Sequence, residues 1–256
     1  MPLVVTLEYP VAIVALSNPG RKNAVDVAMR LEMQPALQRL EDDAQVRAII
    51  LTGEGEDFCA GADIKATTPP GVRDGIHKMR LLQRMVRGVA AVRKPVVAAV
   101  RGNCLGLGWS LALACDFVIA ADDARFQFAF RNIGLAPDGG ASFLLARQVG
   151  LSQAKALLYF GRALNGVEAH ALGLATEVVA AVDILARARA MALALSEAPA
   201  LALEMAKQQL DAAAGQTFDQ ALELEAAMQP LMLQTDDYAE GMAAFRDRRK
   251  PNFRGT

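Results

Sequence analysis

The stretch Gly102-Asn-Cys-Leu-Gly-Leu-Gly-Trp-Ser-Leu-Ala-Leu-Ala-Cys-Asp116 constrains the fold of this chain more than any other. Before it, Pro95-Val-Val-Ala-Ala-Val100 is a short β-branched run that predicts a buried strand. After it, residues 109–115 carry good helix formers and no breaker. Between the two, Gly106 and Gly108 let the chain turn sharply and leave main-chain N–H groups unshielded. The first N–H groups of a helix have no internal partner and carry the positive end of its dipole, so a developing negative charge is stabilised there without any side chain. Two nucleotide-binding patterns fail on spacing. A dinucleotide fingerprint counted from Gly106 meets Leu111 at its third position, and no Lys lies between Gly102 and Asp116 to complete a phosphate-binding loop. On this turn alone, glycines that merely let a helix pack closely on a strand account for the pattern.

A second stretch repeats the arrangement. Ile49-Ile-Leu-Thr-Gly-Glu-Gly-Glu-Asp-Phe-Cys-Ala-Gly-Ala-Asp-Ile-Lys65 runs from strand to Gly-rich turn to small residues that let a ligand approach the backbone. Two such turns can offer two N–H groups to one oxygen. The chain is long enough for one large α/β domain with an extra element: 256 residues, 53% of them hydrophobic, support a sizeable core. With a formal net charge of -1 and interspersed charges, there is no sequence-wide footprint for nucleic acid or a membrane surface, and an anionic ligand needs local cations. No uninterrupted apolar run approaches a membrane span. Residues 1–10 lack a basic start and hold Glu8 and Pro10, which argues against a signal peptide, so a cytoplasmic protein is expected. Cys59, Cys104 and Cys115 form no Cys-x-x-Cys pair, and His77 and His170 stand apart from other ligating residues, so neither a disulfide framework nor a metal site is expected.

Taken in order, residues 4–7 and 11–16 predict a hairpin at a sheet edge, and residues 18–23 a turn carrying Arg21 and Lys22. A helix is predicted over 26–40, with Val27, Leu31, Leu37 and Leu40 as its apolar face, and a strand over 46–51. The Pro- and Gly-rich Thr67-Thr-Pro-Pro-Gly-Val-Arg-Asp-Gly75 reads equally as a substrate-facing segment or a plain surface loop. A helix over 76–92 follows, faced by Met79, Leu82, Met85, Val86 and Val89. Residues 117–120 predict a strand, as do the period-two aromatics of 126–130, and helices are predicted over 142–149 and 152–160. Asp116 reads as a helix-end residue that satisfies backbone. From Gly161 onward the Ala-, Leu-, Glu- and Met-rich composition predicts helices with almost no strand, including one opened by the capping box of Thr217 and Gln220.

Four ordered segments resemble the crotonase, or enoyl-CoA hydratase/isomerase, family: Leu16-Ser-Asn-Pro-Gly-Arg-Lys-Asn-Ala24; Phe58-Cys-Ala-Gly-Ala-Asp-Ile-Lys65; the Pro95 strand with Leu105-Gly-Leu-Gly108; and Ile133-Gly-Leu-Ala-Pro-Asp-Gly-Gly140. The resemblance runs from about Leu16 to Phe253. It implies an α/β fold built as a crotonase-like spiral of β-β-α units, with an acyl-CoA-binding core over residues 1–200 and a helical trimerisation region over 201–256. It also implies an acyl-CoA thioester substrate, coenzyme A being part of that substrate and no separate cofactor being needed. By position the thioester oxygen would be held by the N–H groups of Ala62 and Leu107. Contacts to the coenzyme A portion would come from Arg21, Lys22, Ala24, Ala60, Asp63, Ile64 and Lys65, with Lys250 and Phe253 of the tail reaching a neighbouring site. Arg21 and Lys22 read equally well as a solvated turn.

Family members that add water to a double bond use two glutamates, whose places here hold Ser110 and Phe130. A Ser and Phe pair supplies neither a base for water nor an acid for carbon. The carboxylate left in the neighbourhood is Asp138. Pro-Asp-Gly is also a common turn, and Asp138 could simply cap the next helix. The resemblance points instead to the isomerase branch, including the phenylacetate-catabolism isomerases, which carries its single acidic base on this turn. Gly106, Ser110, Phe130 and Leu135, with Phe126 and Phe128, would then form a substrate pocket that raises the pKa of Asp138. The sister dehalogenase branch uses the same Asp as a nucleophile but carries a Trp and a His that this chain lacks. An enoyl-CoA isomerase is therefore expected. The alternatives are a hydratase using atypical residues such as Ser110, and a non-catalytic acyl-CoA- or RNA-binding homologue. Trimers or hexamers are expected, because the apolar faces of residues 201–253 exceed what one small helical layer buries. Sedimentation at micromolar concentration checks this: a stable monomer would contradict it.

Overall fold

A computed structural model describes residues 2–64 and 71–255. The chain opens with β1 (Leu3–Glu8), which pairs antiparallel with β2 (Val11–Leu16), and then makes four rounds of one pattern: sheet strand, short extended segment, helix. β2 passes through a turn ending at Asn23 and the bridging residue Val25 into α1 (Val27–Asp42). β3 (Ala48–Gly53) leads by way of residues 58–62 to α2 (Val72–Ala91). β4 (Val96–Val100) leads through β5 (Asn103–Leu105) to α3 (Leu107–Leu113), and β6 (Phe117–Ala121) through β7 (Arg125–Gln127) to α4 (Ala141–Phe160). The chain finishes with α5 (Gly166–Ala171), β8 (Glu177–Val179), α6 (Ile184–Ser196), α7 (Ala200–Ala213), α8 (Phe218–Met232) and α9 (Asp236–Asp247).

Among the described residues the main sheet runs β1-β2-β3-β4-β6-β8, parallel from β2 onward. β2, β3 and β4 are buried along their whole length, which is why they read as continuous apolar runs rather than alternating ones. α6 lies against β2, β3, β4 and β6. Each fully buried Val, Leu or Ile in this core contributes about 1.5–3 kcal/mol of transfer free energy. The short extended segments make a second ladder of their own: Val25 bridges Ala62, Cys59 bridges Cys104, β5 pairs parallel with β7, and Phe126 bridges Leu164. This is the expected spiral of β-β-α units.

Several expectations shift in detail. The buried face of α1 is Met29, Arg30, Met33, Ala36, Leu37 and Leu40, while Val27 and Leu31 are exposed. Met29 N donates to the Asp26 carboxylate, and this cap starts the helix so that a different stripe is buried. Met79 of α2 is likewise partly exposed, its place being taken by Leu81. Of the aromatic run 126–130, only its start lies in β7, and Phe130 opens a 3₁₀ turn. The two helices expected over 142–149 and 152–160 are present within α4, divided at Gly150, whose φ 74° and ψ 163° are not helical. β8 is a strand in the region expected to be helical, and it extends the sheet beside β6. The Thr217 and Gln220 capping box is present. Asp116 accepts from Val96 N at 2.7 Å and from Lys207 Nζ at 2.9 Å, so it satisfies backbone across a strand as well as a cation. Residues 65–70, with most of the Pro-rich segment, lie outside the described residues; Gly71 caps α2 and residues 72–75 form its first turn. Among the described residues no helix is long and apolar enough to cross a membrane.

α3 approaches the 58–62 segment closely at Gly108. A Cβ on Gly108 would lie 2.4 Å from the Cys59 carbonyl oxygen and 2.8 Å from the Cys59 Cβ. Backbone on one side and a buried side chain on the other leave little room to relax, so Gly108→Ala should destabilise by about 1–3 kcal/mol. Thermal denaturation is the check, with a midpoint lowered by roughly 2–4 °C per kcal/mol for a chain of this size. An unchanged midpoint would contradict the close approach.

Candidate functional site

The site is assembled first from backbone. Gly106 has φ 50° and ψ -117°, a conformation open in practice only to glycine, and it sets Leu107 as the first residue of α3. Cys59 N donates to Asn103 O at 2.8 Å and Leu105 N to Cys59 O at 2.9 Å, which tie the 58–62 segment to β5. On its other edge Val25 N donates to Gly61 O at 2.8 Å and Asp63 N to Val25 O at 3.0 Å. Successive groups of an extended strand point to opposite sides, so the Ala62 N–H is directed away from Val25. The two turns are in contact: a Cβ on Gly61 would lie 3.0 Å from Leu105 O and 3.8 Å from Leu107 N. Among the described residues neither the Ala62 N–H nor the Leu107 N–H donates a hydrogen bond.

The Pro137-Asp138-Gly139 turn packs on the same helix end. A Cβ on Gly139 would meet Leu107 Cδ1 at 2.9 Å and Ser110 Oγ at 3.1 Å. Ser110 is fully buried, and its hydroxyl makes only long contacts, to Asp138 O at 3.4 Å and Gly106 O at 3.5 Å. Asp138 Oδ1 is buried with no hydrogen-bond partner among the described residues. Burial pushes the Asp138 carboxyl above the usual carboxylate range, and the guanidinium of Arg30 opposes that rise. Phe128 stacks on Trp109 with ring centroids 4.4 Å apart, and Phe130 stacks on Phe128 at 5.7 Å. Phe126 and Phe128 are thus core beneath α3, with Phe130 at the end of the stack, while Leu135 is half exposed.

The residues expected to touch coenzyme A form a neighbouring group. Arg21 pairs with Asp63, Lys22 O accepts from Ala60 N, and Ala24 O accepts from Asn18 Nδ2. Ile64 is exposed, and Lys65 lies outside the described residues. Lys250 pairs with Glu197 at the surface, and Phe253 packs beside Gly241 of α9 while its carbonyl accepts from Arg47. Neither tail residue contacts Ala62, Leu107 or Asp138 among the described residues. Three residues of the site escape the sequence patterns. Asn23 donates to Glu54 O and Asp57 O and so pins the 18–24 turn to the second Gly-rich turn. Asp57 accepts from Asn103 N and Nδ2 at the start of β5. Arg30 is buried on the inner face of α1, and the signal that could have found it is a charge on the same stripe as Met29 and Met33.

The sequence profile of the Enoyl-CoA hydratase/isomerase family matches residues 7–256. The chain belongs to this family. Within the family it is 36% identical to the 1,2-epoxyphenylacetyl-CoA isomerase of Escherichia coli K12, over 97% of each chain. It is 34% identical to the crotonyl-CoA hydratase of Syntrophomonas wolfei, over 98% of this chain and 97% of the relative. An enoyl-CoA hydratase structure from Polaromonas sp. JS666 superposes with a TM-score of 0.94 at 34% identity, covering 98% of this chain and 99% of that one. The chain is thus an enoyl-CoA hydratase/isomerase family enzyme with the crotonase fold, and its relatives include both hydratases and isomerases.

The raised pKa of Asp138 makes a stability prediction. A carboxyl whose pKa is higher in the folded state favours folding when protonated, so its ionised form lowers stability above that pKa and the loss disappears as pH falls below the unfolded value. Asp138→Asn should therefore be at least as stable as the wild type at pH 7, with the difference shrinking toward acid. Paired denaturation curves at the two pH values are the measurement; a variant that is less stable at pH 7 and recovers in acid would reverse the sign.

Proposed function

We propose that this enzyme acts in the cytoplasm as an enoyl-CoA isomerase, moving a double bond in an acyl-CoA thioester. In this mechanism the N–H groups of Ala62 and Leu107 hold the thioester oxygen. The Asp138 carboxylate takes a proton from the α-carbon of a β,γ-enoyl thioester, and the electron pair spreads into a dienolate whose charge rests on that oxygen. Asp138 then returns the proton to the γ-carbon, leaving the double bond between the α- and β-carbons. Donors of this kind are worth about 3–4 kcal/mol each where one has been removed from an enzyme. Arg21, Lys22 and the backbone around Ala24, Ala60, Asp63, Ile64 and Lys65 would hold the coenzyme A portion. Exposed apolar side chains on α7 to α9, among them Leu210, Phe218, Leu231 and Phe245, would be covered by further copies in a trimer or hexamer.

The observation that carries this reading is the buried Asp138 Oδ1, without a partner, on a turn packed against Leu107 and Ser110. A turn or cap residue would spend its carboxylate on backbone N–H groups, and Asp138 does not. A proton shuttle needs one such group, whereas hydration needs a second, and the two candidate places for it hold Ser110, turned to backbone carbonyls, and Phe130, stacked on Phe128. The Escherichia coli relative, an isomerase, supports the same choice.

The test is Asp138→Asn assayed on a β,γ-enoyl-CoA such as 3-hexenoyl-CoA. Loss of at least about 10²–10⁴-fold in kcat is expected, with thioester binding retained. Ser110→Ala should change kcat far less. The wild-type rate should fall on the acid side at a pH above the ordinary carboxylate value of about 3.9, because burial raises the pKa of the base. Near-full isomerase activity in Asp138→Asn, or water addition to 2-enoyl-CoA as the faster wild-type reaction, would overturn the proposal.

A further inference from the structure

Among the described residues Arg30 is a buried cation that makes no ion pair. It lies on the inner face of α1, five residues after Val25, which bridges Ala62, and is 9% exposed. Its Nε is buried without a hydrogen-bond partner, and no carboxylate lies within 4.0 Å of its guanidinium among the described residues. Asp26, Asp63 and Asp138 act on it through space, but Asp26 Oδ1 caps α1 and Asp63 Oδ2 binds Arg21. Asp138 presents the other orphan, its buried Oδ1. A buried cation and a half-buried carboxylate are thus in electrostatic range, not paired with each other, and each has a buried atom without a hydrogen-bond partner among the described residues.

That arrangement is costly in an empty protein. A guanidinium cannot discharge itself by losing its proton, and a buried donor left unmade forfeits its full hydration. A partner that arrives with the substrate removes the penalty. We propose that Arg30 is a specificity-determining residue of the acyl site, binding an oxygen-bearing substituent of the acyl group so that the preferred substrate is an oxygenated acyl-CoA rather than a plain hydrocarbon one. This rests on the acyl-CoA reading above and narrows it. Arg30 also lines a groove of about 350 Å³ between α1 and α2, whose walls include Leu31, Gln34, Gln38, Leu81 and Arg84. The planar donor fork suits a carbonyl or a carboxylate oxygen.

Three saturated five-carbon thioesters, which cannot react by double-bond shift, make the test: pentanoyl-CoA, 4-oxopentanoyl-CoA with a neutral oxygen, and glutaryl-CoA with a carboxylate. Their dissociation constants would be measured by calorimetry on the wild-type protein and on Arg30→Met, which keeps the length of an unbranched side chain. At least one oxygenated thioester should bind the wild type about 10- to 100-fold more tightly than pentanoyl-CoA, the range expected of a hydrogen bond to a charged group. Which of the two it is separates a neutral oxygen from an anionic one. Arg30→Met should bind all three alike. Equal binding of all three by the wild type, which needs no variant, overturns the proposal while leaving the acyl-CoA reading intact, and so does a preference that survives in Arg30→Met. Failure of the wild type to bind any thioester, pentanoyl-CoA included, removes the acyl-CoA reading and this proposal with it.

Discussion

The backbone pairing between residues 58–62 and β5 is the interaction on which the rest of the site depends. Cys59 exchanges bonds with Asn103 and Leu105, and this brings a strand end from one round of the spiral against the helix start of the next. Gly108 has to lack a side chain for that contact to close, since its α-hydrogen side faces the Cys59 carbonyl. Asp57 and Asn23 reinforce the same joint by binding the backbone on either side of it. With these in place, two N–H groups from separate turns stay free of acceptors among the described residues, and no side chain has to be recruited to hold a negative oxygen.

Against this backbone frame the charges are few and poorly satisfied. Burial raises the carboxyl pKa of Asp138, and Arg30 pulls it back, so the environment sets two opposing influences on one group. A fold selected for stability alone would pair or remove such groups, because a half-satisfied buried network costs more than an apolar core. Local departures of this kind concentrate where chemistry is done. Cys59 shows the contrast: it sits in the same joint, but burial pushes its thiol up to about 12, so it is packing material and not a nucleophile.

Much of this was legible in one dimension. Continuous apolar runs mark β2, β3 and β4 because parallel strands are buried on both faces, and the Gly-rich turns announce themselves because glycine alone tolerates their geometry. Asp138 stood out once the places of Ser110 and Phe130 held no carboxylate. Less legible was the face of α1. Its alternation of apolar residues supports more than one stripe, and the choice between Val27 with Leu31 and Met29 with Met33 is made by the sheet it covers. β8 escaped for a similar reason: a three-residue strand has no periodicity to detect, and it exists because the edge of β6 needs a partner.

By itself the sequence determined the order of strand, turn and helix and the positions where a side chain is sterically forbidden. These follow from local sterics and composition, which act over a few residues. Tertiary structure alone decided that Ala62 and Leu107 become neighbours across 45 residues of chain, that Asp138 leaves one oxygen buried without a partner, and that Arg30 is drawn into the same region from α1. Those are outcomes of which elements pack together, and desolvation, the force that tunes the site, does not exist until they do.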